Sequence, residues 1–585
     1  MTGRQDKVRE PEPEAKEPEA KASGYGAMRL LKQAPERPGE RSVGRCPQPT
    51  LNAERRGRGW EGMPKAIYTL ELELSYNTWT DVTADWAAAA PLVIERGIAP
   101  GERVAGVGRL TFALYNPDGR YTPGHANATA GFEAGIGVRL RANDGLHTFT
   151  LFTGRVMEID PARRVEAAGR SSRSTAVVGA DDMAALERMQ VGAFPLVIDA
   201  APGDLIERLV TISFVPPGRL AYWRLDHPQA GRLGQTSVLS DASTGVDLDA
   251  GQSVFPWAGD TWPAGLSALA ALREVCASEG GFFYIAADGT PTFDDRHVRP
   301  KHIAPDAVLS STLAGLSIER GQARVANRVE VTAHPREVGA SDATLWQAGH
   351  SIRIDSGQTR TLVCRYTDPD QQMARVGALS VAMPLPGVDF RATDDQEGAG
   401  EDLTRHVRLR LEPGAASARL TLWSAWPGTL YLHSLRLRGT PLRSAYPSTV
   451  AVEDAASRFA TGEHPLRIDM PLQTDTRVAG DMAHALLARH KDLHPWLTVM
   501  VEATADASLL AHALARDVGD RLHLSDATLA LDGAACFIER VRHEVRRGGA
   551  SHRVEWRTSP ADLTAFWVLG SSAQAALEQG SRLGY

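Results

Sequence analysis

His490 and His494 stand one helical turn apart, the spacing that lets two imidazoles share a metal ion. Pro495 follows directly and no third ligand is evident, so a pair of histidines at a helix end is the simpler reading. Asp294-Asp295 and Asp394-Asp395 raise the two-carboxylate chemistry of a cell-wall glycosidase. Neighbours on a strand point to opposite faces, however, so solvation in hairpins or loops is the expected role of these acids. No His-Glu-x-x-His, Gly-x-Ser-x-Gly or phosphate-loop sequence occurs, which removes the simplest zinc-protease, serine-hydrolase and nucleotide-hydrolase readings. Gly106-Val107-Gly108 and Gly135-Ile136-Gly137 lack the third glycine of a dinucleotide loop and are expected in turns. Aromatic residues beside polar loops can stack on sugars, as Ala221-Tyr222-Trp223-Arg224-Leu225-Asp226-His227-Pro228 with Asp241-Ala242-Ser243-Thr244-Gly245, and Trp423 with Trp426, would allow. A tryptophan packed inside a β core is the preferred reading for all of them. No catalytic, cofactor-binding or metal-ligating residue is assigned, and no cofactor is expected.

The chain that would position such groups has 585 residues, enough for about three to five domains. A formal charge of -7 and a pI near 6.2 provide no net cationic field, so sequence-independent grip on nucleic acid or an anionic bilayer is not expected. No long uncharged apolar run suggests membrane insertion, and the opening Met1-Thr2-Gly3-Arg4-Gln5-Asp6 lacks an apolar signal core, so a soluble protein made in a cytoplasm is expected. Cys46, Cys276, Cys364 and Cys536 are far apart and show no zinc or disulfide spacing, which predicts reduced and mostly buried thiols.

Residues 1–62 are rich in charge, proline and glycine and are expected to be a disordered extension. Met63 as the true initiator is the alternative, because the strand pattern begins just after it. Tyr68-Thr69-Leu70-Glu71-Leu72-Glu73-Leu74 alternates, placing the leucines on one sheet face and the acids on the other. Asn143-Asp144-Gly145 between Val138–Arg141 and Phe149–Phe152 predicts a hairpin, with Asp-Gly supplying the positive φ of a tight turn. Helical spacing returns in Ala201–Val210 and Leu266–Cys276, followed by a hairpin around Asp288-Gly289. Leu345-Trp346, Ile352–Ile354, Thr359–Leu362 and Ala418–Trp423 show period two, and their regular spacing predicts a sandwich or barrel. Asp481–His490 predicts a helix. Strands are expected at Leu497–Glu502, Arg521–Leu524 and Ala535–Val541, with a hairpin at Gly548-Gly549.

Trp79-Thr80-Asp81-Val82-Thr83, Gly108–Leu114, the loop Tyr115-Asn116-Pro117-Asp118-Gly119-Arg120-Tyr121-Thr122-Pro123-Gly124 and Phe152-Thr153-Gly154-Arg155-Val156 resemble the opening of bacteriophage and prophage minor tail proteins. Ala326-Asn327-Arg328-Val329, Asp517-Val518-Gly519-Asp520-Arg521-Leu522 and Phe566-Trp567-Val568-Leu569-Gly570 extend the resemblance over most of the chain after Met63. The helix, Gly-Gly, hairpin and Asp-Arg ending near residues 266–296 resembles a unit of tail hub and baseplate proteins.

This resemblance implies a β-rich multidomain fold, mainly β with α+β segments, in which tail-tube-like β-barrel or sandwich modules accompany a helical-hairpin unit and an inserted β-sandwich. The expected segments are 1–62, 63–190 as a first tube-like module, 191–325 as the helix and hairpin unit, 326–450 as the β-sandwich, and 451–585 carrying a second tube-like module at about 495–570. It further implies a non-enzymatic component of the virion tail, assembled in the host cytoplasm, most simply the hub at the tail tip. Such a hub would form a ring of its own copies, a trimer in preference to a hexamer, contacting tail-tube, distal-tail, tape-measure and fibre or spike proteins. The alternatives are a tail-associated cell-wall hydrolase and a host-receptor or carbohydrate-binding tail protein, with residues 326–445 the candidate for a host-surface glycan.

Overall fold

In the computed structural model, the described residues are 65–165, 171–192, 194–214, 246–310, 313–371 and 374–561. The segments 1–62, Ala221–Pro228, Asp241–Gly245 and Phe566–Gly570, together with Met63 and Cys46, lie outside them. The described chain is mainly β, with several sheets and interspersed helices. Among the described residues, no helix is long and apolar enough to cross a membrane.

The opening strand Ile67–Ser75 buries Tyr68, Leu70 and Leu72 as its alternation requires, but Glu71 on its other face is also buried. Arg139 and Arg141, on the neighbouring strand Gly137–Asn143, hold that carboxylate in ion pairs. The next turn places Gly145 at φ 96°, which lets Gly137–Asn143 and Thr148–Val165 pair as the Asp-Gly hairpin predicted. The loop after Arg109–Tyr115 is tied down by its own polar side chains. Asn116 donates to the Thr122 and Thr175 hydroxyls and accepts from the Tyr121 backbone N–H, while the Tyr121 hydroxyl donates to Asp85 at 2.6 Å.

Among the described residues, thirteen strands form one sheet. Its main path runs Gly315–Glu319, Trp496–Glu502, Ser551–Pro560, Leu531–Arg546, Leu92–Gly97, Arg109–Tyr115, Ser171–Ala180, Thr148–Val165, Gly137–Asn143, Ile67–Ser75 and Thr78–Asp81. Arg521–Asp526 branches from Leu531–Arg546 and pairs in parallel with Ala307–Leu309. The first and last parts of the chain therefore share a ladder, with Leu92↔Val545 through Gly97↔Arg540 in antiparallel register. They also share an apolar core, in which Leu70, Leu110, Phe152, Val499, Leu522 and Trp556 all belong to one cluster. Among the described residues, the pairings do not close this sheet into a barrel: Thr78–Asp81 and Gly315–Glu319 end the path.

Between these parts, helices Pro202–Phe214 and Ala268–Glu279 pack on one another over a second core that includes Leu205, Leu209, Leu272 and Phe293. Ser267 caps the later helix by accepting from Ala270 N–H, and Gly280 ends it at φ 83°. The hairpin Phe282–Ile285 and Pro291–Asp294 follows, as the Gly-Gly and Asp-Gly signals require. Residues 336–444 form three small antiparallel sheets around a third core containing Tyr366, Leu420, Leu422 and Leu432. Arg328–Ala333 does not join them. It pairs with Ser448–Glu453 and Pro465–Met470, and this short sheet is covered by the helix Thr476–His490. Asn327, fully buried, ties it to the adjoining loop through Thr461, Gly462 and His464.

Candidate functional site

Buried charge lies beside the ladder that joins Leu92–Gly97 to Leu531–Arg546. Strand Leu92–Gly97 faces inward at Leu92, Ile94 and Arg96, so period two puts a guanidinium where an aliphatic side chain would be expected. Arg96 meets this demand by gripping both oxygens of Asp517 at 2.8 and 3.3 Å and donating to the Ile285 carbonyl. Asp517 in turn accepts from Ala287 N–H at 2.9 Å, so one carboxylate clasps the first strands, the middle hairpin and the turn before Arg521–Asp526. That turn comes close to the hairpin at Gly519, whose φ is 88° and whose missing Cβ would lie 3.0 Å from the Tyr284 hydroxyl. At Gly97, φ is 137°, and a Cβ there would meet the Glu539 carbonyl and the Arg540 backbone.

A second clasp joins Arg299 to Glu539, with contacts of 2.5 and 3.1 Å, and Ser559 donates to the same carboxylate. The guanidinium lies 3.6 Å above the Phe282 ring. Burial alone would raise the Glu539 pKa, but the charge and hydrogen bonds of Arg299 outweigh it and keep the carboxyl below its ordinary value. A third contact is a buried relay. Tyr68 Oη lies 2.9 Å from His552 Nδ1, and His552 Nε2 lies 3.0 Å from His543 Nδ1. Burial pulls the His552 pKa down to about 4, and burial together with the neighbouring His552 lowers that of His543 well below the usual imidazole range, so both rings are neutral at pH 7.

The contacts these groups make join segments distant along the chain. The residues singled out earlier fall elsewhere. His490 and His494 line a small pocket with Arg324, Arg489 and Trp496, and Arg324 lies 4.2 Å from the Trp496 ring centroid. Among the described residues, no group of three or more His, Cys, Asp or Glu side chains is placed to hold a metal ion. Asp294 and Asp295 are buried, contrary to the expected solvation, because the hairpin turns into the core and Gln252 and the His297 N–H supply hydrogen bonds to Asp295. Asp394 and Asp395 accept backbone N–H groups of their own loop, as loop acids would. Gly135 is a turn glycine at φ 96°, whereas Gly108 makes room for Asp181. Trp426 is partly buried beside His406, but Trp423 stands 37% exposed and outside the core, which corrects the expectation of a packed tryptophan.

The inward arginine of Leu92–Gly97 and the outward tryptophan of Ser417–Ser424 both had a sequence signal: each follows from alternation with its aliphatic neighbours. Asp517 stood in a motif of the resemblance but with nothing to name its partner, and Glu539 had no signal, since their partners lie more than two hundred residues away.

No family model matches the chain, and no curated protein matches it. Among solved structures, the 43 kDa tail protein of prophage MuSo2 from Shewanella oneidensis is similar at 10% identity and a TM-score of 0.42, over 85% of this chain and 98% of that one. A tail protein from Neisseria meningitidis is similar at 11% identity and a TM-score of 0.43, over 84% of this chain and 97% of that one. Prophage tail protein gp18 from Listeria monocytogenes is similar at 8% identity and a TM-score of 0.35, over 84% of this chain and 95% of that one. At these scores the likenesses carry no argument about function.

Proposed function

We propose that this chain is a non-enzymatic structural component of a bacteriophage or prophage tail, the hub at the tail tip. Its copies form a ring, three in preference to six, between the tail tube and distal-tail and tape-measure proteins on one side and a fibre or spike on the other. Residues 63–190 and about 495–570 act as the two tube-like modules, with 191–325 and 326–450 carried between them. The observation that supports this reading is the continuous sheet through Leu92–Gly97 and Leu531–Arg546, which joins early and late strands in one ladder and, among the described residues, leaves a strand edge at each end of its path. Exposed strand edges invite further pairing, and closure of a ring of copies satisfies them while stopping uncontrolled growth. The order of the tail-like motifs along the chain supports the same reading, since Trp79–Thr83, Tyr115–Gly124 and Asp517–Leu522 all fall on or beside that sheet.

The test is native mass spectrometry of the purified full chain, combined with immunodetection in purified particles. Three copies and a signal in mature particles are expected. A chain that stays solitary at high concentration, or is missing from particles, overturns the proposal.

A further inference from the structure

The sheet formed by Thr359–Arg365, Ser417–Ser424 and Val407–Pro413 has one face against the third core and the other open. On its central strand, Leu420 and Leu422 point inward, so Arg419, Thr421 and Trp423 share the open face. The register sets Thr359 and Arg408 on either side of Trp423, and Thr361 and Arg410 on either side of Thr421. Arg410 and Arg419 are 71% and 53% exposed, and both lie within ion-pair reach of Glu412. Arg408, whose guanidinium donates to the Arg405 and Val407 carbonyls, and Arg410, Arg419 and Arg365 stand against the one carboxylate of Glu412 and make this face locally cationic on a chain whose formal charge is -7.

We propose that this face binds an anionic polysaccharide whose sugar rings carry carboxylates, with Trp423 stacking on a ring and Arg408, Arg410 and Arg419 holding the acids. An indole offers an apolar plate to the C–H face of a sugar, and an arginine fork matches a carboxylate in two parallel hydrogen bonds. From Arg419 to Trp423 the strand spans about 13 Å, which suits a stretch of chain in preference to a single ring. A protein partner would call for an apolar patch at the centre of its footprint. Here the neighbours of Trp423 are threonines and arginines. The inference goes beyond the tail assignment and does not depend on it.

The experiment is affinity electrophoresis of the full chain through gels containing polygalacturonate, neutral dextran or dextran sulfate. Retardation by polygalacturonate is expected, with little by dextran. Trp423→Ala should weaken it about tenfold, the loss of one stacking contact, and Trp423→Phe should restore most of it. Arg410→Gln combined with Arg419→Gln should weaken it as well. All these side chains point to solvent, and unchanged circular dichroism would verify that the variants fold. The proposal is overturned if polygalacturonate does not retard the chain, if dextran does so equally, or if dextran sulfate retards it equally and Trp423→Ala changes nothing, the last being the signature of charge alone.

Discussion

Replacing His552 by glutamine tests the buried relay through its response to acid. Glutamine can still accept from the Tyr68 hydroxyl and donate toward His543, but it does not titrate. In the native protein, His552 has its pKa pulled down to about 4 from an ordinary 6.5 by burial. A group whose folded pKa is depressed in this way favours the folded state fully above the unfolded value. That contribution is lost as pH falls from 6.5 toward 4, because only the unfolded chain takes up the proton. Between about pH 7.5 and about pH 4.5 this single proton costs about 2.5 kcal/mol. Asp181 and Asp520, raised by burial to about 7, act in the opposite sense and stabilise the fold as pH drops. They are present in both proteins and cancel in the difference. The assay is hydrogen exchange by mass spectrometry on peptides covering Leu531–Arg546 and Ser551–Pro560, converted to local unfolding free energies at the two pH values. Wild type should lose about 2.5 kcal/mol more than His552→Gln on acidification. An equal loss in the two proteins would refute the argument that a neutral, buried His552 holds this seam.

Three further outcomes follow from the same contacts. Arg299→Met should destabilise the chain by about 3–5 kcal/mol, since Glu539 is left charged and buried, while Arg299→Met with Glu539→Leu should cost less. Thermal unfolding of the two variants beside wild type measures both effects. Gly97→Ala should disrupt the joining ladder, because the added Cβ would sit 2.2 Å from the Glu539 carbonyl; faster hydrogen exchange across Leu92–Gly97 and Leu531–Arg546 is the expected reading. Cys276, Cys364 and Cys536 should resist iodoacetamide at pH 8 until the chain is unfolded, since all three are buried and burial raises the Cys364 and Cys536 thiols to about 12. Peptide mass mapping reports each site separately.

Local elements were legible in the residues because their causes are local. The alternation around Leu70 and Leu72 and the Asp-Gly turns at Gly145 and Gly289 depend on neighbours within a few positions, and all stand where the pattern puts them. The open face of Trp423 was legible in the same way, from the inward Leu420 and Leu422, though a preference for packed tryptophans hid it. That Arg328–Ala333 pairs with Ser448–Glu453 and Pro465–Met470 was not legible, because strand alternation says which face is buried but not which strand lies alongside. Only the tertiary structure decided that Leu92–Gly97 would pair with Leu531–Arg546, that Asp294 and Asp295 would be buried, and that Arg96 and Arg299 would find Asp517 and Glu539. The ladder and the two ion pairs depend on segments brought together from hundreds of residues apart, where burial makes a charge acceptable only if an opposite charge arrives with it, whereas Asp295 is satisfied by the neutral donors Gln252 and His297 N–H.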